Sequence, residues 1–186
     1  MESKELTIVI VTFKSDEKII NCLKSISNNT PVIVVENSDN KDFKTKVENI
    51  FTNVNCILVG ENKGYSTANN IGLKSVKTKY ALVLNPDTIL GKDAIKNFFN
   101  TKEQVKDFWL IGPANNQIVH FNENDSNLKE VNNLKGFAMF LNLSKFNQDY
   151  FDENFFLFFE EIDLCRRVKK NKGKIYLDKN IFVKHD

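Results

Sequence analysis

Carboxylates, amides and small residues gather at the points of this sequence where apolar runs stop. Asn85-Pro86-Asp87 follows the run Tyr80–Leu84 directly. A carboxylate and an amide oxygen are hard ligands, suited to Mg²⁺ or Mn²⁺ bridged to a diphosphate. The same tripeptide is also an ordinary strand-ending turn. Glu36-Asn37-Ser38-Asp39 follows Val32 to Val35 and offers acceptors for a ribose or a base edge. Asn62-Lys63-Gly64-Tyr65 leads through Ala68, Asn69 and Asn70 into a helical stretch. Backbone amides at a helix start attract anions, and small residues let a nucleotide approach closely. Glu160, Glu161 and Asp163 follow an aromatic block and open another helix. Carboxylates against apolar walls can serve as a general base, because burial lifts a carboxyl toward the working pH range. The same acids complement a helix N-terminus, and Asp163 with Arg167 has the i, i+4 spacing of a surface ion pair. His185 offers a neutral imidazole to a metal.

Other chemistries lack their residues. His120 and His185 are the only histidines, and neither stands near a nucleophile elbow. There is no GxxxxGK[ST] loop, which removes a P-loop nucleotidase, and Gly60 to Tyr65 does not make GxGxxG, so a nicotinamide dehydrogenase is poorly supported.

The elements that must hold the candidate residues alternate. Leu6 to Phe13 (LTIVIVTF) is nearly unbroken apolar and β-branched, the pattern of a strand covered on both faces. Ser15 and Asp16 can cap a helix whose face carries Ile19, Leu23 and Ile26. Strand Val32 to Val35, a helical stripe of Phe43, Val47 and Ile50, strand Cys56 to Val59, a helix from about Ser66 to Ser75 and strand Tyr80 to Leu84 follow. Such alternation predicts an α/β fold with a mainly parallel sheet flanked by helices, with ligands outside the carboxyl ends of the strands. In the second half, Phe108 to Gly112, Ile118 to Phe121, Gly136 to Leu143, Lys174 to Leu177 and Ile181 to Val183 read as strands, and Phe121 to Asn133 as a surface loop. The helix begun at Glu160 is expected to end near Lys172 with Gly173 as its cap. Phe151 to Phe159 holds five phenylalanines, read first as a core cluster and second as the floor of an acceptor site.

With 186 residues and no repeat or linker, one domain spanning the chain is expected. The net charge of +2, with basic residues spread along the chain, gives no nucleic-acid footprint. No apolar run approaches the ~18 residues of a membrane helix. Three cysteines without CxxC spacing read as buried thiols in a reducing compartment. A cytoplasmic protein is the expectation, with room for peripheral contact at the inner face of a membrane.

The ordered series TIVIVTFKS, VIVVENSDN, ENKGYSTANNIGL, YALVLNPDTIL, KGFAMFL and FFLFFEEIDLCRR resembles the family 2 glycosyltransferases, especially their rhamnosyltransferase-like branch, from about Leu6 to His185. The resemblance implies a GT-A fold, a nucleoside-diphosphate-sugar donor, a glycan or other hydroxyl acceptor, dependence on Mn²⁺ or Mg²⁺, and inversion at the anomeric carbon. It implies nucleoside contacts at Thr12, Phe13 and Glu36, with Glu36 standing where the family more often has Asp. It implies a nucleotide-binding loop and helix at Gly64 and Asn70, and a DXD-type metal motif at Asn85-Pro86-Asp87 in which Asp87 is the retained carboxylate. Glu160-Glu161 matches the family's Glu-Asp pair, whose second member usually acts as base. His185 matches a late metal-binding histidine. The competing expectations are a GT-A-like module that binds a nucleotide or glycan without turnover, and, with less support, a nucleotidyltransferase.

Overall fold

A computed structural model of the protein describes residues 4–115, 117, 121 and 126–185. The apolar runs of the first half become strands β1 (Leu6–Thr12), β2 (Val32–Glu36), β3 (Val54–Leu58) and β4 (Tyr80–Leu84). Helices α1 (Asp16–Lys24), α2 (Lys41–Ile50) and α3 (Gly64–Ser75) lie between them in the chain. The turn after β4 runs into a short strand, β5 (Thr88–Leu90), and then α4 (Ala94–Val105). The remainder supplies β6 (Leu110–Pro113), β7 (Leu128–Val131), β8 (Ala138–Asn142), α5 (Glu160–Lys170), β9 (Ile175–Asp178) and β10 (Val183–His185).

Eight strands form one sheet in the order β3-β2-β1-β4-β8-β6-β9-β7. β3, β2, β1 and β4 are parallel to one another, and β6 is parallel to β9. β8 and β7 run against their neighbours, so the sheet is mixed but mostly parallel. β1 and β4 are covered on both faces, as their unbroken apolar sequences require. Alternate residues divide between the two layers. Ile8, Ile10, Leu82 and Leu84 pack with α1, α2 and α4. Val9, Ala81 and Val83 pack with Leu73 of α3 and with Leu164, Cys165 and Val168 of α5. From β1 the chain steps outward to β2 and β3 and returns to β4 on the other side of β1. That reversal leaves a crevice at the carboxyl ends of β1 and β4.

Several boundaries depart from the expectations. The surface loop expected over Phe121 to Asn133 contains β7, which pairs antiparallel with β9. The strand expected at Ile118 to Phe121 falls, apart from Phe121, outside the described residues, as does His120. β5 and α4 carry weak periodic signals and were not anticipated. Helix α5 ends at Lys170. Its left-handed cap is Lys172, at φ 58°, and Gly173 is the residue after it. The Lys172 amide bonds the Lys169 carbonyl and the Gly173 amide the Val168 carbonyl, each at 2.9 Å, which is the Schellman pattern. Gly173 is small because a Cβ there would lie 2.7 Å from Val168 and 2.8 Å from Trp109.

Candidate active site

A cleft of about 600 Å³ opens outside the carboxyl ends of β1, β2 and β4. Eight residues anticipated from sequence line it together: Phe13, Asn37, Gly64, Asn85, Asp87, Glu160, Glu161 and His185. Three others stand behind the wall. Thr12 is buried at the end of β1, and Glu36 is buried at the end of β2, accepting a hydrogen bond from the Ser38 hydroxyl. Asn70 is buried on α3, and its amide is fully committed to the chain. Its Nδ2 donates to the Phe151 carbonyl at 2.8 Å and to Glu153 Oε1 at 2.9 Å, and its Oδ1 accepts from the Phe151 amide at 3.0 Å. Asn70, for which the resemblance implies a nucleotide contact, clamps the segment that carries the aromatic block.

One wall is built on the turn after β4. The Asn85 carbonyl accepts from the Thr88 amide at 3.3 Å and the Thr88 hydroxyl at 2.7 Å, which closes the turn and lets Asp87 project. β5 then pairs antiparallel with β10, setting His185 opposite Thr88. As a result His185 Nε2 lies 3.5 Å from Asp87 Oδ1. The imidazole is steadied by the Phe137 ring, stacked at 4.8 Å with planes 7° apart. Lys18 of α1 approaches Asp87 Oδ2 at 3.8 Å. Asp87 and His185 thus place a carboxylate oxygen and an imidazole nitrogen near one another, a donor pair of the kind that could hold a divalent cation such as Mn²⁺.

The Gly64 loop forms a second wall. Asn37, expected to meet a ribose, spends its amide inside the chain: Nδ2 donates to Asn62 Oδ1 at 2.9 Å and to the Gly64 carbonyl at 3.2 Å, and Oδ1 accepts from the Lys63 amide at 3.0 Å. Gly64 has φ 82°, open to glycine and costly for other residues. The space its side chain would take belongs to the protein. A Cβ there would lie 2.6 Å from the Phe156 carbonyl oxygen, and the Tyr65 amide donates to that same oxygen at 2.7 Å. Glycine here admits the Phe156 backbone, where the sequence suggested a nucleotide.

The third wall is the aromatic block and the start of α5. Phe151 is buried, as a core reading requires, but Phe156 to Phe159 are not: they are 57%, 53%, 69% and 66% exposed. The core expectation fails for these four because the loop turns outward at the cleft mouth. Phe158 and Phe159 hold φ of 70° and 71°, a left-handed conformation that costs about 1–3 kcal/mol per non-glycine residue and collects at functional sites. Glu160 is buried, and its Oε2 has no hydrogen-bond partner among the described residues. Burial pushes its carboxyl above the ordinary range, and the neighbouring Glu161 charge adds to the rise. Glu161 is partly exposed on the cleft wall, with Gly136 packed against its Cβ and Cγ. Asp163 turns away, bonding Arg167 Nε at 2.7 Å in the anticipated i, i+4 pair.

Tyr65, Lys135, Gly136 and Phe137 also line the cleft and were not singled out as site residues. Tyr65 belonged to the loop noticed in the sequence. Lys135 to Phe137 precede β8 and carried only the signal of a buried strand.

The sheet order and the crevice are those of a GT-A glycosyltransferase fold. Structures of S. aureus TarS 1–349 superpose with TM-scores of 0.71 alone and 0.73 in complex with UDP-GlcNAc. They cover 95% of this chain and 58% and 56% of TarS at 16% identity, a likeness of fold. The sequence profile described as "Glycosyl transferase family 2" matches residues 7–164, and the chain belongs to that family. Among curated relatives it is 30% identical over 198 residues to the low-salt glycan biosynthesis hexosyltransferase Agl10 of Haloferax volcanii, covering 92% of this chain and 64% of the relative. It is 29% identical over 99 residues to a teichoic acid poly(glycerol phosphate) polymerase of Staphylococcus epidermidis, covering 49% of this chain and 14% of the relative. The chain thus spans less than two thirds of the length of the relatives it matches. Among the described residues no helix is long and apolar enough to cross a membrane.

Proposed function

We propose that this protein transfers a sugar, with inversion, from a nucleoside-diphosphate-sugar to an acceptor hydroxyl in glycan synthesis. The reading rests chiefly on one observation: Asp87 with His185, and Glu160 with Glu161, line the same cleft. A diphosphate on the Asp87 side and a hydroxyl on the Glu161 side would meet across an anomeric carbon. The UDP-GlcNAc complex of the TarS neighbour supports the donor class.

Asp87 and His185 would hold Mn²⁺ or Mg²⁺. The ion would supply positive charge against the leaving diphosphate. Glu161 is assigned as base because it is the more exposed carboxylate of the pair, and an arriving hydroxyl reaches it first. It takes the hydroxyl proton, the acceptor oxygen forms the new bond to the anomeric carbon, and the bond from that carbon to the diphosphate oxygen breaks on the opposite face. Glu160, buried behind with its carboxyl pushed up, keeps a protonatable group beside the base. The exposed rings of Phe156 and Phe158 flank the entry and would bear on the acceptor. The three described cysteines are free and buried, which supports a reducing, cytoplasmic setting.

The test is a thermal-shift panel of nucleoside diphosphates with and without Mn²⁺, followed by sugar transfer with the diphosphate that binds. A metal-dependent shift that Asp87→Ala removes, with transfer lost in Glu161→Gln while binding survives, is the expected result; base removal typically costs about 10²–10⁴-fold. Native-rate transfer by Glu161→Gln would refute the base assignment. Binding without any turnover would favour a nucleotide-holding module instead.

A further inference from the structure

Asn85 occupies the first position of the metal-type tripeptide, where its amide oxygen is the natural candidate ligand. The geometry gives that oxygen another task. Tyr65 is partly buried on α3, and its hydroxyl donates to Asn85 Oδ1 at 2.8 Å. Burial pushes the phenol well above its usual range, so it keeps its proton and remains a donor. Asn85 also has its backbone amide fixed by the Phe137 carbonyl at 2.9 Å and its own carbonyl closed by Thr88. With the Tyr65 hydroxyl donating, the side-chain amide turns its oxygen inward. Its Nδ2 is left on the cleft wall, and among the described residues nothing accepts from it.

We infer that Asn85 is a hydrogen-bond donor to the bound sugar nucleotide, set in that orientation by Tyr65, and not an oxygen ligand of the metal. This rests on the reading of the cleft as a nucleotide-sugar site. The substrate group it would meet is an anionic or hydroxyl oxygen of the donor's diphosphate-sugar portion, beside Asp87. Tyr65 is then a positioning residue, and its placement suits the part. Its amide holds the Phe156 carbonyl at 2.7 Å while its hydroxyl holds Asn85, so one residue joins the wall that carries the base to the wall that carries Asp87.

The two assignments of Asn85 predict opposite results in Asn85→Asp. An oxygen ligand replaced by a carboxylate tightens a divalent cation. A donor replaced by a carboxylate loses its hydrogens and repels phosphate. The experiment measures Mn²⁺ alone by electron paramagnetic resonance titration, and separately a nucleoside diphosphate (UDP, GDP, ADP, CDP and dTDP in turn) with Mn²⁺ by calorimetry. Wild type, Asn85→Ala, Asn85→Asp and Tyr65→Phe are compared on the full chain.

The expected result is that Mn²⁺ alone binds Asn85→Ala as it binds wild type, while nucleotide affinity falls about tenfold, as befits one hydrogen bond to a charged oxygen. Asn85→Asp falls further. Tyr65→Phe, which keeps the ring and frees the amide to turn, loses a smaller part of nucleotide affinity with Mn²⁺ affinity intact. A merely structural role for Tyr65 would weaken both together. Tighter Mn²⁺ binding in Asn85→Asp, loss of Mn²⁺ binding in Asn85→Ala, or native nucleotide affinity in both Asn85 variants overturns the inference alone. A wild-type protein that binds none of the five diphosphates overturns the reading of the cleft and this inference with it.

Discussion

Gly64 and Gly60 offer a matched pair for separating two costs that usually come mixed. Both are left-handed, at φ 82° and 89°. A Cβ at Gly60 meets nothing within 4 Å, so Gly60→Ala measures the conformational cost alone, about 1–2 kcal/mol. At Gly64 the same methyl would lie 2.6 Å from the Phe156 carbonyl oxygen and 3.0 Å from its Cα. Both obstacles are backbone, which cannot rotate away, and forcing a methyl into a filled space adds about 1–3 kcal/mol. Gly64→Ala should therefore cost about 2–5 kcal/mol, and the excess over Gly60→Ala is the clash. If the protein relieves it, the Phe156 segment must move, breaking the Tyr65–Phe156 hydrogen bond and carrying the start of α5 with it. Displacement of a catalytic group by about 1 Å costs about 10²-fold in rate. Urea denaturation gives the stabilities, and transfer assays on the folded fraction give the rates. Equal stabilities for the two variants, with Gly64→Ala transferring sugar at the Gly60→Ala rate, would refute both the close approach and its consequence.

Other outcomes follow from the same packing. Asn70→Ala leaves the Phe151 amide and carbonyl unpaired in a buried place, and should lower stability by about 3 kcal/mol while nucleotide affinity holds within about twofold; loss of nucleotide binding at unchanged stability would instead restore the role implied by resemblance. Glu160 has a folded pKa raised above its ordinary value near 4.5, so the native state binds the extra proton and stability is lost as pH rises from that value through the folded pKa. Glu160→Gln should then match wild type below pH 4 and be the more stable of the two at pH 8 in urea titrations; a gap that is constant with pH would contradict the burial cost. Phe158→Ala removes a ring that is 69% exposed, so stability should change by less than about 0.5 kcal/mol while the KM for the acceptor rises, with donor affinity unchanged by calorimetry.

How much was legible depends on how local the cause is. β1 and β4 were readable because unbroken β-branched runs bury on both faces wherever they sit, and Asn85-Pro86-Asp87 was readable because it stops such a run. The Asp163–Arg167 pair needed only helical spacing. β7 was not legible, since Leu128–Val131 alternates weakly and becomes a strand by pairing with β9. The exposure of Phe156 to Phe159 was hidden for the converse reason: five phenylalanines in a short stretch look like core, and only the loop path decides which rings face solvent.

The sequence by itself determined the residue types of the site and their positions at strand ends, because hydrophobic periodicity fixes where strands stop and polar residues begin. Tertiary structure decided which of them meet. Asp87 and His185 come together through the antiparallel pairing of β5 with β10, a contact between segments far apart in the chain. The amides of Asn37 and Asn70 and the missing side chain of Gly64 turned out to serve neighbouring loops, because a buried hydrogen-bonding group or a vacant methyl position is claimed by whatever backbone the fold lays against it. Such assignments depend on three-dimensional adjacency, which no local pattern of residues encodes.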